Sequence, residues 1–130
     1  MVKYLTLEQV LNIHDFVVEK FGGSHGVRDL GLVESALARP GAGFGDFEAY
    51  PDLLIKSAVL AHSLLKNHPF IDGNKRTAMM AMEQFLFTNG LTITAKKGEI
   101  YQLALDIENN TFDETGISKW LEQHTEPVLK

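Results

Sequence analysis

The sequence predicts an all-α fold, a single compact domain of about six helices, and three observations carry that prediction. Apolar residues recur at helical spacing through most of the chain. Start and stop signals at Thr6, Gly22-Gly23, Pro40 and Asn89-Gly90 cut the pattern into helix-length segments, and only Leu91-Thr92-Ile93-Thr94 alternates like a short extended segment. With 130 residues and 45% hydrophobic content, residues 1–130 suffice for one core and are too few for two domains.

Taken in order, Thr6-Leu7-Glu8-Gln9 reads as a capping box that opens a first helix carrying Val10, Ile13, His14, Val17, Val18 and Phe21. A second helix starts near Asp29 and carries Leu32, Val33, Ala36 and Leu37 until Pro40 ends it, with Arg39 in its last turn. Pro40 to Pro51 holds Gly41, Gly43, Gly45, Phe44, Phe47 and Tyr50, a composition that suits a loop or small hairpin. Long loops in compact domains are often functional, so a flap over a binding site is expected near residues 40–51, against the alternative of an aromatic plug that seals the core.

Asp52 to Lys66 is apolar nearly all round, as a central buried helix should be. Asn67-His68-Pro69 breaks it, because proline removes a donor and disfavours helical geometry before it, which leaves His68 in a loop. A fourth helix runs from Asn74 to Thr88 and stops at Asn89-Gly90. Ile100, Leu103, Ala104 and Ile107 define a fifth helix that ends at Asn109-Asn110. A sixth follows Asp113, with Phe112 and Ile117 at hydrophobic-staple spacing and Trp120 and Leu121 extending the stripe, and the tail beyond His124 is expected to fray.

Composition excludes several classes of function. The chain has no cysteine, so disulfides, thiolate metal sites and a cysteine nucleophile are ruled out and a reducing cytoplasmic setting is expected. No apolar run has the length of a membrane span, and Met1-Val2-Lys3-Tyr4 lacks a signal-peptide core. A net charge of -5 argues against nucleic acid as a partner, since phosphate neutralisation supplies most non-specific affinity there.

The chemistry concentrates in His68-Pro69-Phe70-Ile71-Asp72-Gly73-Asn74-Lys75-Arg76. A histidine titrates near neutral pH and can take a proton from a hydroxyl, so His68 is the candidate general base. Asp72 can stabilise a helix start, and it can also be a Mg2+ ligand, because magnesium needs one or two protein carboxylates and completes its shell with water and phosphate oxygens. Gly73 and Asn74 serve as turn and cap residues and also let N–H groups approach an anion. Lys75 and Arg76 stand on a first helical turn, where the dipole disfavours cations, a placement that makes sense if an anionic ligand occupies the site. Phe70 is expected to anchor the loop in the core, and Ile71 with it. Met79, Met80 and Met82 read as core packing, and His14, His25, His62 and His124 as structural or exposed.

The motif H-P-F-x-D-G-N-K-R resembles the signature of the Fic/Doc superfamily, and Lys75, where Fic enzymes carry glycine, resembles the Doc branch. Gly26-Val27-Arg28-Asp29-Leu30-Gly31-Leu32-Val33-Glu34-Ser35-Ala36-Leu37-Ala38-Arg39-Pro40 upstream and Phe85-Leu86-Phe87-Thr88-Asn89-Gly90 downstream are similar to Doc-like proteins as well. The resemblance implies a helical core with the motif spanning a loop and the following helix. It also implies His68 as the group that deprotonates a target hydroxyl, with Asp72 holding Mg2+ and Gly73, Asn74, Lys75 and Arg76 binding the phosphates of ATP.

For the Doc branch the implied activity is that of a protein Ser/Thr kinase. Such a toxin of a toxin–antitoxin pair transfers the γ-phosphate to a threonine of elongation factor Tu and inhibits translation, and a cognate antitoxin binds it. The chain departs from Fic adenylyltransferases at Met79, where they carry a second arginine, and from the best-known Doc toxin at Met80, where an asparagine follows. Fic-type adenylyl transfer and a non-enzymatic antitoxin-binding module are the alternatives.

Overall fold

A computed structural model describes residues 1–129 and contains six α-helices with two small strand pairs. Helix α1 (Leu7–Phe21) opens on the predicted capping box: the Thr6 hydroxyl accepts from the Gln9 N–H and the Gln9 side chain accepts from the Thr6 N–H. Helix α2 (Leu30–Ala38) is capped by Asp29, and Pro40 turns its end into a 3-10 turn at Arg39–Gly41. Strands β1 (Gly43–Phe44) and β2 (Phe47–Glu48) form an antiparallel hairpin. Helix α3 (Leu53–Lys66) follows an Asp52 cap.

Helix α4 (Asn74–Thr88) stops at Asn89-Gly90, with Gly90 in the left-handed region. Strand β3 (Leu91–Ile93) comes next, then α5 (Lys97–Glu108) and α6 (Glu114–His124), the last capped by Asp113. Among the described residues no helix is long and apolar enough to cross a membrane.

Helix α3 is the axis of the molecule, packing on α2, α4, α5 and α6. Val59, Leu60, Ala61, Leu64 and Leu65 of α3 are fully buried and meet Phe85 and Leu86 of α4 and Ile117 and Leu121 of α6 in one core. Each such large side chain contributes about 1.5–3 kcal/mol by leaving water. The core therefore fixes both ends of α3, and the loop that continues from its C-terminal end inherits that rigidity.

Four readings need correction, one of them the alternative of an aromatic plug. Residues 125–127 do not fray: they form β4 (Thr125–Pro127), which pairs antiparallel with β3, matching Leu91 to Pro127 and Ile93 to Thr125, because the extended Leu91–Ile93 edge offers it backbone partners. The aromatics of the 43–48 hairpin do not plug the core, since Phe44 and Phe47 are 80% and 58% exposed. Ile71 is 60% exposed and anchors nothing in the core, whereas Phe70 is buried as expected. Met79 and Met82 are core residues, while Met80 is only half-buried at the surface of α4.

Candidate functional site

The motif lies where α3 ends and α4 begins, and its backbone is tied down on three sides. Asn74 closes the loop from below, its side-chain oxygen accepting from the Phe70 N–H at 3.0 Å and its amide donating to the Phe70 carbonyl at 2.9 Å. Segment 26–29 runs alongside, with Val27 bridged to Phe70, the Arg28 and Asp29 N–H groups donating to the Pro69 carbonyl, and the Ile71 N–H donating to the Gly26 carbonyl. From α1, the buried His14 ring stacks on Phe70 at 3.9 Å, and its Nε2–H donates to the Asp72 carbonyl at 2.7 Å. That bond fixes the His14 tautomer and makes the residue structural.

Within this frame His68 has φ 48°, a left-handed conformation that bulky residues avoid and that the following proline disfavours further. A conformation of that kind costs of the order of 1–3 kcal/mol and persists only where the surroundings impose it. The Arg28 guanidinium bridges the turn, Nε donating to the His68 carbonyl at 2.7 Å and Nη2 to the Asn67 carbonyl at 2.8 Å. The His68 side chain is exposed and its ring makes no hydrogen bond among the described residues.

Asp72 is exposed too, its carboxylate accepting from the Gly73 N–H at 2.9 Å and the Ser24 N–H at 3.2 Å. The approach of the Ser24 segment depends on Gly23, where a Cβ would stand 2.6 Å from an Asp72 carboxylate oxygen. Two N–H bonds orient the carboxylate and leave lone pairs on both oxygens, which suits a group that takes one carboxylate and fills its shell with water and phosphate oxygens.

Gly73 caps α4 in the left-handed region, φ 77°, and provides no side-chain cap. The first intrahelical bond comes from the Thr77 N–H, so the N–H groups of Asn74, Lys75 and Arg76 have no acceptor among the described residues. Unpaired donors and the positive end of the helix dipole together make an anion site. Lys75 reaches back to Glu108 of α5 at 3.0 Å, an ion pair with both side chains more than a third exposed and worth less than about 1 kcal/mol. The Arg76 guanidinium lies 3.9 Å from the Phe21 ring centroid, and no carboxylate pairs with it among the described residues. The structure thus gathers His68, Asp72, Gly73, Asn74, Lys75 and Arg76 at one exposed corner of a rigid core.

A groove of about 420 Å³ leads from this corner along α1, α4 and α5, lined by Phe16, Phe21, Arg76, Met79, Glu83 and Tyr101 among others. Met79, three residues after Arg76, is 4% exposed, so no cation occupies that position. Glu83 has its carboxyl raised above the usual value by burial.

Chain comparison decides the family. The model of the Fic/DOC family matches residues 4–86, which span the motif and the frame around it. The chain belongs to the Fic/DOC family. This Fic/DOC protein is 45% identical over 95 residues, 73% of its own length and 71% of the relative's, to the protein named Toxin Doc of Mycolicibacterium smegmatis. It is also 31% identical over 110 residues, 76% of its own length and 86% of the relative's, to the protein named Protein kinase doc of Escherichia phage P1.

Two features of this Fic/DOC site escaped sequence reasoning. Arg28 and His14 lie 40 and 58 residues from the groups they hold, and nothing local marks either one. At the other end of α3, the Lys56 ammonium is fully buried and donates to the Pro40 carbonyl at 2.9 Å and Glu48 at 2.7 Å. Burial alone would lower its pKa, but the bonds to Glu48 and Tyr4 outweigh that and raise it. Arg39 is similarly committed, both terminal nitrogens bonding Glu114, with Ser63 and Tyr50 as further partners. The Glu114 bond raises its pKa against burial.

Proposed function

We propose that this chain is the toxin of a toxin–antitoxin pair and a protein Ser/Thr kinase that transfers the γ-phosphate of ATP to a protein hydroxyl, a threonine of elongation factor Tu. The observation that carries the reading is the exposed His68, held in a left-handed conformation beside the N-terminus of α4, which has no side-chain cap. The names of the two relatives, a toxin and a protein kinase, support it. His68 takes the proton of the target hydroxyl, whose oxygen then attacks the γ-phosphorus while ADP leaves. The N–H groups of Asn74, Lys75 and Arg76, the glycine turn at Gly73 and the Arg76 guanidinium receive the phosphate oxygens, where fixed donors stabilise the charge of transfer. Asp72 would hold Mg2+, which when bound neutralises phosphate charge.

Two surfaces fit the partners this reading requires. The hairpin presents Phe44 and Phe47 outward, a grip for a protein target. The groove between α1, α4 and α5 has an apolar floor and the cations Lys20, Lys75, Arg76 and Lys97 at its margin, which suits an amphipathic, acidic segment of a cognate antitoxin. Adenylyl transfer is the competing chemistry, and the buried Met79 in place of an arginine speaks against it.

The deciding experiment is intact-mass measurement of elongation factor Tu after incubation with the protein, ATP and magnesium, beside a His68→Ala control. Gain of one phosphate that the control lacks is the expected result. Gain of one adenylate replaces kinase by nucleotidyl transfer, and an unchanged mass rejects the substrate.

A further inference from the structure

The loop that carries His68 has an asymmetric set of supports. Downstream of the histidine, Pro69, Phe70, Ile71 and Asp72 are held by backbone bonds from segment 26–29, by the Asn74 side chain and by His14. Upstream, the chain leaves α3 through Asn67, and the last α3-type bond is the Asn67 N–H to the Ser63 carbonyl at 3.0 Å. Between these supports sits a residue at φ 48° directly before a proline. Proline biases the residue before it toward extended geometry, so His68 has a strong local reason to swing out of the conformation it holds.

Only one described group grips the two carbonyls at this pivot. Arg28 donates Nε to His68 and Nη2 to Asn67, at 2.7 and 2.8 Å, and no other described donor reaches either oxygen. The planar fork of a guanidinium matches two carbonyls on consecutive residues, and it fixes their relative rotation as well as their positions. An ammonium has three rotatable donors but no such planar fork, so it does not fix the relative rotation of two carbonyls. The Arg28 backbone is itself fixed, because its own N–H donates to the Pro69 carbonyl at 2.8 Å.

From this geometry we infer that Arg28 is a positioning residue for the reaction: its guanidinium holds the Asn67–His68 turn in the left-handed geometry that aims the His68 ring at the acceptor hydroxyl. Arg28 acts through the carbonyls of the pivot and leaves phosphate binding to α4. The inference rests on the proposed role of His68 as base, and its structural half stands separately. Loss of the fork lets His68 relax toward the extended geometry its proline favours, while the α4 N-terminus and Asp72 keep their places.

The test compares wild type with Arg28→Met, which keeps the aliphatic stem, and Arg28→Lys, which keeps the charge and an N–H donor group without the planar fork. Two readouts are taken: steady-state phosphate transfer from ATP to elongation factor Tu, and the 13C and 15N backbone shifts of His68. For Arg28→Met the expected result is a kcat lowered about 10- to 100-fold, the scale of a displaced reacting group, with ATP affinity within about threefold of wild type. The His68 Cα and Cβ shifts should move from left-handed toward extended values, with Arg28→Lys between the two.

Unchanged kcat, or unchanged His68 shifts, in an active and folded Arg28→Met overturns the inference. Should Arg28→Met fail to fold, Arg28→Lys carries the same two criteria. If wild type transfers nothing, the kinase reading fails, and the shifts alone decide whether Arg28 holds the turn.

Discussion

The two ends of α3 treat charge in opposite ways. Toward its N-terminal end Lys56 is buried among Pro40, Glu48 and Tyr4, and along its flank Arg39 is committed to Glu114, Tyr50 and Ser63. At its C-terminal end the folding effort goes into the backbone: His14, Arg28 and Asn74 all bond main-chain groups of the motif loop. The His68 ring, the first three N–H groups of α4 and the Arg76 guanidinium are left without protein acceptors among the described residues. The ends lie roughly 15 Å apart, the rise of the ten residues from Lys56 to Lys66. Charge satisfied internally builds the frame, and polar groups held rigid but unpaired await a ligand.

The largest effect that follows is at His68. On the proposed function, His68→Ala is expected to lower kcat by about 10²–10⁴-fold with ATP affinity and melting temperature nearly unchanged, since the ring has no protein partner to lose. A large fall in melting temperature would show that the ring belongs to the frame. Lys56→Met makes the converse test, because it strands the Pro40 carbonyl and removes the anchor of Glu48. A loss of about 1–3 kcal/mol in urea unfolding is expected, with ATP affinity as in wild type. Should Lys56→Met weaken ATP binding as well, the two ends of α3 would be coupled and the contrast would fail.

How far each region could be read from sequence follows the same division. The helices and their limits were legible because capping at Thr6, Asp52 and Asp113 and the stops at Pro40 and Gly90 act within a few residues. The motif was legible because His68 through Arg76 are contiguous. Neither periodicity nor spacing could show Arg28 gripping His68, His14 stacking on Phe70, or β4 closing on β3, since these contacts join segments far apart in the chain. Lys56 was hidden for another reason: a lysine in an apolar helix reads as a surface interruption, and only its partners from the 40–48 segment make its burial tolerable.

His62 sharpens the comparison on the frame side. Its ring sits beside Glu114, and its pKa lies below the ordinary 6.5 because of burial first; Arg39 and Lys66 push the same way, while Glu114 and Asp113 oppose them. Below 6.5 and above the folded value, the unfolded chain binds more protons than the folded one, so stability rises with pH across that window. The contribution is therefore full above 6.5 and is lost as pH falls through the folded pKa. Melting temperature should drop on acidification through that range by an amount worth less than about 1 kcal/mol, and His62→Gln should flatten the slope.

Glu83 gives the smallest effect and has the opposite sign. Burial in the groove raises its carboxyl pKa above the usual 4.5, and no cation pairs with it among the described residues. The folded chain therefore holds this proton more tightly than the unfolded chain. Its contribution to stability is present below 4.5 and is lost as pH rises through the folded pKa, so at neutral pH the ionised carboxylate is a small burden. Glu83→Gln should raise the melting temperature at neutral pH by less than about 1 kcal/mol in equivalent stability, with no gain below pH 4.5. A lowered melting temperature at neutral pH would mean that the carboxylate has an internal partner and belongs with Lys56 and Arg39. A raised one places Glu83 with His68 and Arg76, among groups the fold holds unpaired on the face where its ligands are expected.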